Sequence, residues 1–245
     1  MSGKYYPTED TFLNATRGLI KGGEVVNIFG YQTAADTTFR VLWEFAATDL
    51  VFPSSAIPLT VTSASGSDDG KSLLIKGLDA NWNVLTETVT LVGGGDVVTD
   101  NSFLRINDVI LTSGIENIGL ITVQNAGKTE KYAGIRVGDG RNQASHYSVP
   151  ADHCYYLYRI DAFSSDSTSA KPGIFKNVSI NNANGGQEYN VARTTFLGNM
   201  NIQRRFPFKY SEKTDIQFQL RTRSGTHEMN VFGEGLLLRE PISTS

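Results

Sequence analysis

Three histidines, one cysteine and a pair of adjacent carboxylates are the side chains of this 245-residue chain whose types suggest chemistry first. His146, His153 and His227 show no His-x-His or His-x-x-x-His spacing. His153 is followed directly by Cys154, and strand alternation aims neighbours at opposite faces, so no metal site is expected. A lone Cys154 cannot close an intramolecular disulfide or supply a thiolate zinc cluster. In the strand-like run Asp152-His153-Cys154-Tyr155-Tyr156-Leu157 it reads as a small core hydrophobe. Asp68 and Asp69, in Ser63-Ala64-Ser65-Gly66-Ser67-Asp68-Asp69-Gly70, could share acid and base roles only if burial split their pKa values. That Ser/Gly-rich stretch reads instead as a solvated surface loop.

Other candidate motifs fall short in specific ways. Asp79-Ala80-Asn81-Trp82-Asn83 begins like a calcium loop, but Val84 stands where the loop needs glycine and Thr90 where it needs a bidentate glutamate. It reads as a hairpin loop. The glycine clusters Gly93–Gly95, Gly138-Asp139-Gly140 and Gly233-Glu234-Gly235 lack the Gly-Lys-Ser/Thr ending of a phosphate loop and are taken as turns or strand bends. There is no Gly-x-Ser-x-Gly elbow. Hence no catalytic residue, no metal ligand and no cofactor are expected, and the chain is read as non-enzymatic. Trp82 and the tyrosines of Tyr155-Tyr156-Leu157-Tyr158 offer rings that could stack on sugars, although packing is the commoner use of such rings. Gln203-Arg204-Arg205-Phe206-Pro207-Phe208-Lys209 is a local basic cluster that could meet an acidic partner, or form the solvated start of a strand.

Composition narrows the partners. With 22 Lys+Arg against 25 Asp+Glu, the net charge is -3, which argues against nucleic acid as the main partner. No apolar run approaches the ~18 residues of a membrane span, and Met-Ser-Gly-Lys-Tyr-Tyr-Pro lacks the apolar region of a secretion signal. A reducing compartment, or a virion assembled in one, is expected from the single cysteine.

The elements that must position these residues are strands. Short β-type runs separated by Gly, Asn, Asp and Ser clusters cover Val25–Phe29, Thr38–Trp43, Leu59–Ser63, Lys71–Leu78, Leu85–Leu91, Phe103–Leu111 and Leu120–Gln124. They continue at Arg141–Ser148, Tyr155–Phe163, Ile174–Ile180, Tyr189–Thr194, Asp215–Arg223 and Val231–Leu238. Leu85, Glu87, Val89 and Leu91 share one face of their run. Ile216, Phe218 and Leu220 share one face of theirs, opposite a polar face expected to be wet. Period 2 with a wet face means antiparallel sheets, and the turn spacing fits β-sandwich or jelly-roll units. The fold class is therefore all-β, with two units in series or one large sandwich with a long excursion. The division expected is an N-terminal arm (1–24), a β-sandwich (25–140) and a second, jelly-roll-like β-sandwich (141–245).

Several stretches taken in order resemble a family of virion structural proteins from tailed, mostly aquatic, bacteriophages. They are Ile75–Asn83, Glu87–Leu91, Ser102–Asn107, Asn117–Val123, Tyr147–Ala151, and the ending Thr214-Asp215-Ile216 with Phe232-Gly233-Glu234-Gly235. The resemblance implies a building block of the particle, a capsid decoration or cement protein, or alternatively a tail or head–tail component such as a nozzle, hub or fibre-attachment ring. A carbohydrate-binding adhesion module is the rival of a different class. Partners implied are other virion proteins (the major capsid protein, or tail and portal-associated proteins) and copies of the chain itself, as a homotrimer, in a virion assembled in the host cytoplasm. The arm carries Tyr5, Tyr6, Phe12, Leu13, Leu19 and Ile20, apolar groups without a core of their own, and these are expected to bury against a partner subunit.

Overall fold

Val, Ile, Thr, Phe and Tyr at alternate positions favour a pleated, half-buried backbone, and most strands of the fold follow that preference. The computed structural model describes residues 11–45, 48–113, 116–166 and 171–240. A short helix α1 (Thr11–Thr16) precedes the long strand β1 (Gly23–Ala35) and the brief β2 (Arg40–Val41). Seven strands follow: β3 (Ile57–Ser63), β4 (Ser72–Leu78), β5 (Val84–Thr90), β6 (Asp96–Phe103), β7 (Arg105–Leu111), β8 (Ile121–Gln124) and β9 (Lys131–Ile135). The chain then runs through β10 (His146–Ser148), β11 (His153–Ser164), β12 (Gly173–Asn181), β13 (Gln187–Phe196), β14 (Asn199–Tyr210), β15 (Thr214–Thr222) and β16 (His227–Arg239).

Strand order defines two sandwiches. One sheet reads β1-β16-β11-β14, and the sheet packed on it reads β10-β15-β12-β13 with β2 also on β15. Leaving β10 aside, these eight strands have the connectivity of a jelly roll, two four-stranded antiparallel sheets wound from paired Greek keys. Its core joins Ile28, Tyr155, Leu157, Phe175, Phe218 and Val231 from both sheets. The second sandwich stacks β6-β3-β8-β9 on β5-β4-β7 around Leu59, Ile75, Phe103, Val109 and Val123.

The all-β sandwich architecture is as expected, but the serial division is corrected. Strands β1 and β2 pair with β16 and β15, so residues 23–45 belong to the jelly roll, and the other sandwich is inserted between its second and third strands. Alternation within a run fixes which face is buried and says nothing of which distant strand pairs with it. The expected arm is likewise shortened. Gly23 and Glu24 already pair with Leu238 and Leu237, and Asn14 and Ala15 are buried.

Two local readings change as well. Strands β6, β9 and β14 were not expected, because their Asp, Asn, Lys and Pro residues lack strand propensity and depend on their partners. Gly233 and Gly235 are neither turn nor bend. They lie inside β16, where an added Cβ would stand 2.4 Å from the Phe218 ring and 2.2 Å from the Tyr155 ring. Their missing side chains make room for these two core rings.

Candidate functional site

The most chemically dense region is the contact between the two sandwiches. Arg105, at the start of β7, reaches Asp215 on β15, with Nε 3.0 Å from Oδ1 and Nη2 3.0 Å from Oδ2. The guanidinium lies between the rings of Phe52 and Trp82, at 4.6 and 4.7 Å from their centroids. Asp215 also accepts from Ser148 Oγ and Asn182 Nδ2. Both partners are buried, so each carboxylate lone pair and guanidinium proton needs the partner it has.

Flanking bonds fix the same contact. His146 Nε2 donates to Ile106 O at 2.7 Å, and burial holds the His146 pKa below its ordinary value. Asn107 and Ser148 exchange two bonds, and Ala151 N donates to Trp82 O. The polar face of β15, expected to be wet, is thus covered: Asp215 is 2% and Gln217 8% exposed. Trp82 is buried beneath Arg105 and has no ring face for a sugar, which removes it from the adhesion reading.

The two crossings of the chain between sandwiches run side by side. Arg136 Nη2 donates to Tyr31 O and Trp43 O. The Glu44 carboxylate accepts from Gln143 N, while its Oε2 is buried with no hydrogen-bond partner among the described residues. Burial pushes the Glu44 carboxyl up to about 7, against the opposing pull of Gln143 N–H and the Arg136 charge, with Asp139 adding repulsion. A carboxyl raised in the folded state stabilises fully below its unfolded value of 4.5 and loses that contribution as pH rises through 7. Denaturation between pH 4 and 8 should therefore show stability falling by about 3 kcal/mol from this group. In Glu44→Gln the fall should vanish; an unchanged profile contradicts the assignment.

Within the inserted sandwich, Asp68 departs from its expected solvated loop. It is fully buried and accepts from Ser63 Oγ, Lys71 Nζ, Ile118 N and Gly119 N at 2.6–2.9 Å. Burial alone would raise its pKa. The bonds from Ile118, Lys71, Ser63 and Gly119 outweigh that and hold it well below the usual carboxylate range. Its role is to tie the loop before β8 to the loop after β3. Asp69 stays exposed.

The remaining sequence candidates are scattered. Asp79 accepts from the backbone of Asn81 and Asn83 and closes the β4–β5 hairpin. His153 bonds Ala151 O, and His227 lies beside Ser224 O. Among the described residues no three His, Cys, Asp or Glu side chains converge to hold a metal ion. Cys154 is buried opposite Leu238, and burial with the nearby Glu240 pushes its thiol up to about 11. Tyr155 and Leu157 point into the core, whereas Tyr156 bonds the Glu240 carboxylate. The basic cluster sits within β14, with Arg204 stacked 3.9 Å from the Phe208 ring centroid and Phe206 exposed. Of the expected arm contacts, Leu13 is exposed and Leu19 and Ile20 are half-buried. Tyr5, Tyr6 and the side chain of Phe12 lie outside the described residues.

One surface feature went unread in the sequence. Phe29 of β1 stands directly opposite Phe232 of β16, and Phe232 opposite Asp161 of β11, two residues from Phe163. Alternation sends all three rings to the outer face of their sheet. Phe29 is 40% and Phe163 37% exposed, and Phe232 is half-buried. No signal within one strand predicts this patch, since it forms only when three distant strands align.

No family model matches the chain, and no curated protein matches it. Among solved structures, one of the infectious bursal disease virus Gx strain is 8% identical with a TM-score of 0.20, covering 91% of this chain and 73% of that one. The VP2 subviral particle of infectious bursal disease virus is 9% identical with a TM-score of 0.19, covering 91% of this chain and 78% of that one. Likeness at this level decides nothing about function; strand order and side-chain placement have to carry that reading.

Proposed function

We propose that this chain is a non-enzymatic structural protein of a tailed-bacteriophage virion, a capsid decoration or cement protein that binds neighbouring capsid subunits and its own copies as a homotrimer. The observation that carries the reading is the Phe29–Phe232–Phe163 patch on the outer face of the jelly roll. Three adjacent aromatic rings left partly in water mark a surface for another protein. The two sandwiches are meanwhile locked together by Arg105 and Asp215, which suits a part that keeps its shape. The resemblance of the sequence to phage virion proteins supplies the setting.

The test is binding to particles lacking the protein. Phe29→Ser with Phe163→Ser should lower occupancy at least tenfold without lowering the melting temperature by more than a few degrees, because both rings are partly solvated. Labelled protein should decorate the whole shell in electron micrographs. Label confined to the tail or to one vertex would favour the tail component, and undiminished binding by the double variant would remove the patch from the contact.

A further inference from the structure

The jelly roll leaves β1 and β14 at the edges of the sheet β1-β16-β11-β14, and the two are treated differently. Along β14 the register jumps from Leu157↔Phe208 to Arg159↔Gln203, so the segment Arg204-Arg205-Phe206-Pro207 forms a bulge in the ladder. A bulge, a proline and cationic side chains are the devices that stop an edge from accepting another strand. Strand β1 has none of them over Gly23–Gln32. Its register with β16 is unbroken there, and Glu24 is its one charged residue.

The direction of the free backbone groups follows from Tyr31. Its N–H donates to Gln143 O and its carbonyl accepts from Arg136 Nη2, so both face away from β16. In an antiparallel ladder every second residue turns the same way. Val25, Asn27 and Phe29 therefore direct N–H and C=O outward, and no hydrogen bond to them from a described residue is found on that side. Beyond Phe29 the edge is closed, since the outward N–H and C=O of Tyr31 are already taken by Gln143 and Arg136.

A groove runs along this open length. A cleft of about 360 Å³ touches Asn27, Ile28 and Phe29 and faces Asn107, Asp108 and Arg141. A second of about 160 Å³ continues it past Val25 and Glu24 toward Lys76, Leu78 and Val84. Both share Asn27, Asp108 and Arg141. From Glu24 to Phe29 the edge spans about 20 Å, the length of a short added strand.

Resting on the building-block reading above, we propose that this edge accepts residues 1–10 of a neighbouring copy as an added strand. Ten residues precede α1, and extended they reach about 33–36 Å, more than the groove needs. Gly3-Lys4-Tyr5-Tyr6 carries an N–H at each position before Pro7, which has none. Of Tyr5 and Tyr6, alternation turns one ring toward the apolar wall of Leu78, Val84 and Leu237.

Hydrogen exchange of the full-length protein tests this. The amides of Asn27 and Phe29 should exchange at least tenfold more slowly in concentrated than in dilute protein. That protection should be lost in Tyr5→Pro/Tyr6→Pro, which alters no described residue and removes two donors from the arm. Asn27→Pro on the acceptor edge should also abolish the association seen by light scattering, and the arm variant decides the matter if Asn27→Pro misfolds. Equal exchange at all concentrations, or protection surviving the arm variant, overturns the proposal; concentration-independent protection would place the arm on its own edge. Particle binding by a protein that fails this test would leave the building-block reading standing.

Discussion

Arg105→Ala should cost about 3–5 kcal/mol of folding stability, because it strands the buried Asp215 carboxylate without its cation. Ser148 and Asn182 would still donate to that carboxylate, but neither brings charge. The rings of Phe52 and Trp82 would also lose the guanidinium between them, adding a smaller cost. The double variant Arg105→Met/Asp215→Leu should recover most of the loss, since no charge is then left unpaired in the interface. Urea denaturation of the parent and these two variants checks the claim. A loss under about 1 kcal/mol for the single variant, the range of a solvated pair, would mean that water reaches Asp215 and that the sandwiches are not locked there.

Asp68→Ala should be nearly as damaging, at about 2–5 kcal/mol, because it leaves the Gly119 N–H buried without an acceptor, removes the acceptor of the half-covered Ile118 N–H, and strips Lys71 of its carboxylate. The damage should be confined to the inserted sandwich, so exchange of the Ile118 and Gly119 amides should accelerate while the jelly-roll core stays protected. The parent protein should also lose stability as pH falls below 3.8, the ordinary value of this carboxyl. A group whose folded pKa is depressed stabilises above its unfolded value and surrenders that contribution on acidification. Asp68→Ala should lose that part of the acid sensitivity; an acid profile identical to the parent's would contradict the assigned role.

Much of the local structure was legible because alternation is a local property. The inward faces of β5 and β15 and the Asp79 hairpin were readable from neighbours in sequence, whereas Cys154, buried as expected, lies on the face opposite Tyr155, beside Glu240, and not in the jelly-roll core. What depended on distant strands was not readable. Asp215 looks solvated within its own run and is buried only because the inserted sandwich docks there. Asp68 sits in a Ser/Gly-rich stretch whose composition says loop, yet the segment at 117–119 folds over it. Strand β14 carries Arg204, Arg205 and Pro207, a poor strand sequence that is held by β11 on one side. The site fared as the fold did: single residues were placed correctly on faces, whereas the aromatic patch and the β1 groove exist only in the assembled sheet.

The insertion also sets an order of events during synthesis. Strand β1 leaves the ribosome with nearly the whole chain still to be made before its partner β16 emerges, whereas β3 to β9 come out together with every strand they pair with. The inner sandwich can thus close early, while the outer one must hold its first strand in reserve until translation ends. A nascent chain in that interval presents the full edge of β1 on both sides, which makes this strand the point of greatest exposure to chaperones and to mispairing.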